Sequence, residues 1–431
     1  MQTYYSLTGA DNDNENSPQA LPCYFRDLIQ KSWSIVSKPA LKNFSLRASR
    51  LLKGASVADR IEIAGVPCYI IAKHPCPELA AAIQRFHRRD CRRLTLQLST
   101  IDESQETAPS SMDTIPKKLF VKRNDGYRQQ DIILHCTGGG WFAHMIAFDL
   151  LYLLDWSACT GAVVIIPEYD LLPKSPFPAA LQQITNVYTT LVSGDAVSTL
   201  GFEVNNIVVT GESTGGNLAS ALCVNLCMDG DNPTKTSTTE STVKEAFSES
   251  VFDSNDENLC SESISGSEDQ AESTPSTGVR LPDAIMLSCA VLNLSLELSH
   301  SRVLGTEDPV LPSGVMSAIS DAYIPFSLGI SKKHPLASPL YAPDNILALF
   351  PPTLMFASSN DPLLDDSVVF NQRLRSLGVT SQLRACKNLP HAGLWGLATA
   401  GFPEAIQVQK ECQEWLSQQM MGGSSDSNQS K

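Results

Sequence analysis

The sequence lacks the cysteine pairs and the long apolar runs that mark two common classes of protein. Its twelve cysteines include no Cys-x-x-Cys pair, and no run of 18 apolar residues occurs. These absences argue against a zinc site and against a transmembrane helix. Residues 1–19 are polar and acidic, unlike a secretory signal. We therefore expect a cytoplasmic protein with reduced, mostly buried thiols, no metal and no cofactor.

Basic residues are in deficit, which argues against nucleic acid as the main partner. The chain has 32 Lys and Arg against 46 Asp and Glu, for a net charge of −14. The charge is uneven, because residues 229–279 carry twelve acids and two lysines. A segment of this composition cannot bury enough apolar surface to offset its ordering entropy, so a disordered insertion is predicted there. Acids three residues after serines, as in Ser250 and Asp253, favour regulation by acid-directed kinases; a passive linker is the alternative.

The rest of the chain divides by composition into four parts. We expect a disordered N-terminus at 1–19, a helical N-terminal or cap region followed by a loop at 20–130, a folded domain at 131–418 and a loose tail at 419–431. The basic stretch 85–93 is interpreted as a solvated helix face. A contact with an anionic surface such as phospholipid is the alternative.

From residue 131, short apolar runs alternate with longer segments of helical spacing. The runs lie at 132–134, 163–166, 207–209, 285–287 and 354–356, and a further strand is expected at 381–386. Continuous apolar strands separated by helices predict an α/β fold whose mostly parallel central sheet has helices on both faces.

One of these strands leads into a motif that carries chemistry. Residues 211–215 read Gly-Glu-Ser-Thr-Gly between the strand at 207–209 and an apolar helical segment. In this strand–turn–helix context Gly-x-Ser-x-Gly is the nucleophile elbow of the α/β-hydrolase fold, which predicts Ser213 as a nucleophile. A glycine-rich turn with a capping serine is the alternative.

The partners that such a serine needs occur in the order of that fold. Three glycines at 138–140 follow the strand at 132–134, where backbone N–H groups of Gly139 and Gly140 can form an oxyanion hole with that of Thr214. Asp361 lies just past the strand at 354–356, and His391 follows it by thirty residues. We expect His391 as the general base and Asp361 as its orienting acid, with the neighbouring Asp365 and Asp366 capping a helix at 367–377.

Several segments resemble the hormone-sensitive lipase family of animals. They are Asn-Asp-Pro-Leu-Leu-Asp-Asp at 360–366, Leu-Pro-His at 389–391, Pro-Phe-Pro-Ala-Ala-Leu at 176–181, Asp-Pro-Val-Leu-Pro at 308–312 and Ser-Pro-Leu-Tyr at 338–341. The resemblance covers roughly residues 131–416 without the acidic segment. It implies the triad of Ser213, Asp361 and His391, oxyanion donors at Gly139, Gly140 and Thr214, and a cap built from residues before 131.

The chain departs from that family at positions close to the expected site. Thr137 stands where the family has the histidine of its His-Gly-Gly-Gly loop, Glu212 and Thr214 replace Asp and Ala beside the nucleophile, and Ala392 replaces Gly. We expect Thr137 to leave the glycine loop looser, unless His135 has taken over the missing role.

The function expected from these residues is hydrolysis of carboxylic esters by a neutral lipase or esterase. Acylglycerols or sterol esters are the expected substrates, with a lipid-droplet or membrane surface as a partner. One alternative is an esterase of small esters similar to arylacetamide deacetylases. Another is a ligand receptor that keeps the fold without turnover.

Overall fold

The computed structural model describes residues 57–88, 128–230, 279–312, 314–387, 389–392 and 394–422. The expected disordered N-terminus, the first part of the expected cap, the loop before residue 128 and nearly all of the acidic segment lie outside these residues. The tail lies outside them from residue 423.

An eight-stranded sheet forms the centre of the described residues. Its strands are β1 (Val57–Ile63), β2 (Val66–Ala72), β3 (Gln129–Cys136), β4 (Val163–Pro167), β5 (Glu203–Glu212), β6 (Ala284–Ser288), β7 (Thr353–Ser358) and β8 (Ser381–Cys386). Their order is β1-β2-β4-β3-β5-β6-β7-β8; β2 is antiparallel to both of its neighbours, β1 and β4, and all pairs among β3–β8 are parallel. The predicted parallel sheet is therefore confirmed.

Helices cover both faces of this sheet. They are α1 (77–88), α2 (Ile146–Thr160), α3 (Ala179–Val192), α4 (Asp195–Leu200), α5 (Thr214–Gly230), α6 (His300–Leu304), α7 (Val315–Tyr323), α8 (Asp344–Leu347), α9 (Leu364–Ser376) and α10 (Pro403–Gly422). One apolar cluster joins the sheet to α3 and α5, and a second joins its other face to α2 and α10. No helix in the described ranges is long and apolar enough to cross a membrane.

Residues 57–72 correct the expectation of a helical N-terminal region. They form the hairpin β1–β2, which turns at Ala64 and Gly65, both with positive φ (52° and 77°). Alternate side chains are buried, Ile61 and Ile63 in β1 and Cys68 and Ile70 in β2. This period of two is the pattern of a strand with one face on the core. Only 77–88 of the described part of this region is helical.

Two helix boundaries also differ from the predictions. Helix α9 begins at Leu364, three residues before the predicted start at 367, so Asp365 and Asp366 lie in its first turn rather than at its N-cap. Helix α10 continues through Met420 to Gly422, where a loose tail was expected from 419. Met420 is buried and its carbonyl accepts a hydrogen bond from the side chain of Asn206, so tertiary packing extends this helix.

The parallel strands bring distant parts of the sequence to one edge. Glu212 pairs with Ser288 at the ends of β5 and β6, and Ser288 pairs with Phe356 near the end of β7. The residues that follow these three strands therefore leave the sheet side by side, at the edge where ligands bind in open α/β sheets.

Candidate active site

Ser213 lies in a sharp turn between β5 and α5. Its φ of 56° is in the left-handed region, which a residue with a β-carbon rarely adopts and which only surrounding structure can maintain. Its backbone N–H donates to the carbonyl of Ser288 at 2.8 Å, and its carbonyl accepts from Val291 at 3.1 Å. A β-carbon at Gly215 would lie 2.0 Å from the carbonyl oxygen of Cys136. Glycine is therefore required there for helix and strand to approach.

The structure brings Ser213, His391 and Asp361 into one hydrogen-bonded line. Ser213 Oγ lies 2.8 Å from His391 Nε2, and His391 Nδ1 lies 2.8 Å from Asp361 Oδ2. Asp361 Oδ1 accepts from the N–H of Leu363 at 2.8 Å, so both carboxylate oxygens are engaged. Asp361 and His391 are buried, whereas Ser213 is partly accessible. This is the arrangement of a nucleophile, a base and an orienting acid.

Asp308 holds the backbone of His391. Its Oδ2 accepts the His391 N–H at 2.8 Å, while Oδ1 accepts the N–H groups of Val310 and Leu311, also at 2.8 Å. Burial opposes the charged imidazolium of His391, but Asp361 and Asp308 outweigh burial and raise the pKa of His391. Asp308 begins one of the segments that resemble the hormone-sensitive lipase family, but its contact with His391 could not be predicted from the sequence.

Asp365 and Asp366 are bound elsewhere. Asp365 accepts the backbone N–H of Ser301 at 2.8 Å, and Asp366 pairs with Arg302 at 2.5 Å. Burial raises the pKa of Asp366 to about 6 even though Arg302 opposes this rise. Both carboxylates thus tie α9 to α6, and Asp361 is the acid that contacts the imidazole ring of His391.

The glycine loop lies directly over the nucleophile. A β-carbon at Gly138 would lie 2.8 Å from the carbonyl oxygen of Glu212 and 3.5 Å from Ser213 Cβ. Gly139 and Gly140 have φ of 118° and 67°. The N–H of Gly140 donates to Thr214 Oγ1 at 3.1 Å. The expected oxyanion donor at Gly140 is therefore already hydrogen-bonded to Thr214, which stands where the hormone-sensitive lipase family has alanine.

Thr137 and His135 have separate roles around this loop. Thr137 is buried; its hydroxyl accepts the N–H of Met145 at 3.0 Å and its carbonyl accepts from Tyr169 at 2.8 Å. His135 uses Nδ1 for Thr210 at 2.8 Å and places Nε2 3.3 Å from Asp149. His135 therefore links β3 to β5 and α2, and Thr137 itself anchors the start of the glycine loop.

Glu212 lies beneath the elbow rather than in the triad. Its side chain is buried and accepts a hydrogen bond from Ser288 Oγ at 3.1 Å. Burial raises the pKa of Glu212 well above its ordinary value, with Asp149 and Asp361 adding to the effect. Burial beneath the elbow therefore disfavours a second negative charge beside Asp361.

The comparisons with known proteins agree with this architecture. The profile of a family described as alpha/beta hydrolase fold matches residues 133–394. An esterase of Gibberella moniliformis is 26% identical over 306 residues, covering 70% of this chain and 77% of the esterase. Arylacetamide deacetylase of Mus musculus is 27% identical over 296 residues, covering 65% of this chain and 72% of the deacetylase.

Hormone-sensitive lipase of Homo sapiens is 26% identical over 206 residues, which cover 48% of this chain and 14% of the lipase. The expected resemblance therefore extends to a wider group that also includes esterases and arylacetamide deacetylases. Carboxyl esterase 2 of Tuber melanosporum has the same fold, with a TM-score of 0.56, 16% identity and coverage of 84% of this chain and 88% of that chain. Because the family profile spans more than half of the sequence, the chain belongs to the alpha/beta hydrolase fold family.

Proposed function

We propose that this chain is a serine carboxylic-ester hydrolase with Ser213, His391 and Asp361 as its catalytic triad. The observation that carries the proposal is the continuous line from Ser213 Oγ through both ring nitrogens of His391 to Asp361, with each step 2.8 Å long. The nucleophile stands at the end of the line that substrate can reach.

The geometry supports a two-step acyl transfer. His391 Nε2 takes the proton of Ser213 as Oγ attacks the ester carbonyl, and the same nitrogen then protonates the leaving alcohol. Backbone N–H groups of Gly139, Gly140 and Thr214 are the proposed donors to the negative oxygen. Water, activated by His391, then attacks the acyl-enzyme and releases the acid and free Ser213.

The proposed substrates are esters of long acyl chains, such as acylglycerols or sterol esters at a lipid surface. Segment 298–326 lies after β6 in the chain and contacts both sides of the site. Ser301 donates a hydrogen bond to the carbonyl of Pro362, next to Asp361, and Ile319 lies against Gly140. Five of its apolar side chains are exposed, namely Leu298, Val303, Leu304, Val310 and Phe326. Exposed apolar side chains on a segment that contacts the site support contact with lipid.

Hydrolysis of small esters or arylacetamides is the second candidate. It is favoured by the deacetylase of Mus musculus, which matches this chain over most of its own length, whereas the human lipase matches over a small share. A short, closed acyl pocket would distinguish such an enzyme from a lipase.

Turnover of p-nitrophenyl esters from C2 to C16, together with emulsified trioleoylglycerol, separates the two candidates. A lipase is expected to increase kcat/KM with chain length and to hydrolyse the emulsion, because each buried methylene contributes about 0.8 kcal/mol to binding. A maximum at C2–C4 without emulsion activity identifies a small-ester hydrolase. Ser213→Ala is the control for both substrates, and absence of turnover by the unmodified chain on every ester would contradict the proposal.

Phosphorylation of segment 229–279 is proposed as regulation rather than as part of catalysis. The segment leaves the described structure at the end of α5, whose 17 residues begin next to Ser213. At 1.5 Å per residue, the junction lies about 25 Å along the helix from the nucleophile. Phosphate groups would add negative charge to this acidic segment, which is joined to α5 at the end remote from Ser213.

A further inference from the structure

Cys289 contacts the triad from a position that the proposed reaction does not use. It follows directly after β6, and its N–H donates to the carbonyl of Phe356 on β7 at 2.8 Å. Its side chain is fully buried. The Cys289 Sγ atom, a carboxylate oxygen of Asp361 and a ring nitrogen of His391 all lie within 4.8 Å of one another.

The thiol lies between the two loops that carry Asp361 and His391. Burial raises the pKa of Cys289 most, Asp361 raises it further, and the backbone of Ala392, the residue after His391, lowers it. Since a carboxylate only accepts, a hydrogen bond between Cys289 and Asp361 must run from the thiol to the carboxylate.

The backbone around this thiol is strained in two places. Cys289 has a φ of 46° and Ala392 a φ of 55°, although both carry a β-carbon. Such conformations cost about 1–3 kcal/mol each and persist where the surrounding structure fixes them. Both strained residues lie next to the triad, Cys289 within 4.8 Å of Asp361 and Ala392 directly after His391.

We propose that Cys289 is a positioning residue for the triad: its S–H donates to the Asp361 carboxylate and limits how strongly that carboxylate attracts the proton of His391. The effect of Cys289 on catalysis rests on the proposed function, whereas its effect on the pKa of His391 depends only on the side chains of Cys289, Asp361 and His391. Asp361 already accepts from His391 Nδ1 and from the N–H of Leu363, and the thiol, which lies within 4.8 Å of it, is the proposed third donor. Each donor spreads the negative charge of the carboxylate and weakens its hold on the imidazolium.

The other ionisable groups around the cluster leave this role to the thiol. Asp308 binds the backbone N–H of His391 and adds a second negative charge nearby, while burial raises the pKa of Glu212 at the end of β5 and so disfavours a further charge there. Burial and Asp361 raise the pKa of Cys289 well above its ordinary value, so the thiol keeps its proton at neutral pH.

The test measures the pKa of His391 directly, by NMR titration of protein labelled with ¹³C at histidine. The chain has seven histidines, and His391→Gln assigns the resonance. Cys289→Ala removes the donor and is expected to raise the His391 pKa by about half a pH unit. Cys289→Ser offers a stronger donor and is expected to lower it. Cys386→Ala is the matched control, because it removes a buried thiol at the end of β8 and should leave the His391 pKa unchanged.

The pH midpoint below which kcat/KM falls should shift together with the His391 pKa measured by NMR in each variant. A His391 pKa in Cys289→Ala equal to that of the unmodified chain, with only the Tm altered, would reduce Cys289 to a packing residue and overturn the inference. If Cys289→Ala does not fold, Cys289→Ser decides, since an unchanged or raised His391 pKa overturns the inference equally. Because the titration requires no turnover, an inactive enzyme would refute the proposed function while the role of Cys289 is still measured.

Discussion

Replacing Thr214 by alanine tests the structure of the oxyanion hole most sensitively. The substitution keeps the backbone N–H of residue 214 and removes only the hydroxyl that accepts the N–H of Gly140 at 3.1 Å. In the proposed mechanism, Gly140 of the unmodified chain must give up this bond before it can donate to the substrate oxygen. The neighbouring Tyr169 hydroxyl keeps its bond to the carbonyl of Thr137, so the donor that the substitution releases is the N–H of Gly140.

The magnitude follows from the bond that must be exchanged. A neutral hydrogen bond contributes about 0.5–1.5 kcal/mol net, and 1.36 kcal/mol corresponds to about a tenfold change in rate. We therefore expect Thr214→Ala to increase kcat on p-nitrophenyl butyrate by about twofold to tenfold. The Ki of a trifluoromethyl ketone, whose adduct carries the same negative oxygen, should fall by a similar factor, while KM changes little.

Thr214→Ser is the matched control, because it keeps the hydroxyl and should behave like the unmodified chain. A decrease of kcat in Thr214→Ala, with weaker binding of the ketone, would refute the reasoning. It would mean that the hydroxyl holds Gly140 in its productive position instead of competing for its N–H.

Three further predictions follow from the same geometry. Asp361→Asn should lower kcat by about 10⁴ through loss of the correct His391 tautomer, whereas Asp366→Asn should mainly lower the Tm because it weakens the pair with Arg302; esterase assays and thermal unfolding of both variants would show a reversed pattern if the acid were misassigned. Despite burial, Asp361 and Asp308 raise the pKa of His391, and since the base must be neutral, kcat/KM should fall with decreasing pH at a midpoint above the ordinary value of 6.5; a midpoint below that value would contradict this. Deleting residues 232–276 should leave kcat on a soluble ester within about twofold, because the junction at α5 is about 25 Å from Ser213; a large loss would show that the segment packs near the site.

The sequence predicts the parallel strands and the side chains that meet at their edge because those features are local. Each buried strand is a continuous apolar run, and Ser213, Asp361 and His391 each stand beside a recognisable strand end or proline turn. The hairpin at 57–72 was missed although its alternation was present, because the surrounding segment has apolar residues at helical spacing as well. The turn at Gly65 was the feature that could have identified it.

Contacts between distant residues could not be predicted in the same way. Nothing in the sequence near Cys289 indicates that it lies against Asp361, because that contact depends on the order of β6 and β7 in the sheet. The bond between Gly140 and Thr214 likewise joins residues 74 positions apart. The start of α9 was placed too late because Asp365 and Asp366 favour either a cap or a first turn, and their bonds to α6 decide between the two.

Covalent labelling tests the central claim that Ser213 is the nucleophile of an ester hydrolase. The protein is treated with a fluorophosphonate and the modified serine is located by peptide mass spectrometry, in parallel for the unmodified chain and for Ser213→Ala. The account predicts an adduct on Ser213 and on no other serine, none in the folded Ser213→Ala variant, and a loss of about 10⁴–10⁶ in kcat for that variant. An adduct on a different serine, or more than a few per cent of the esterase activity retained by Ser213→Ala, would contradict it.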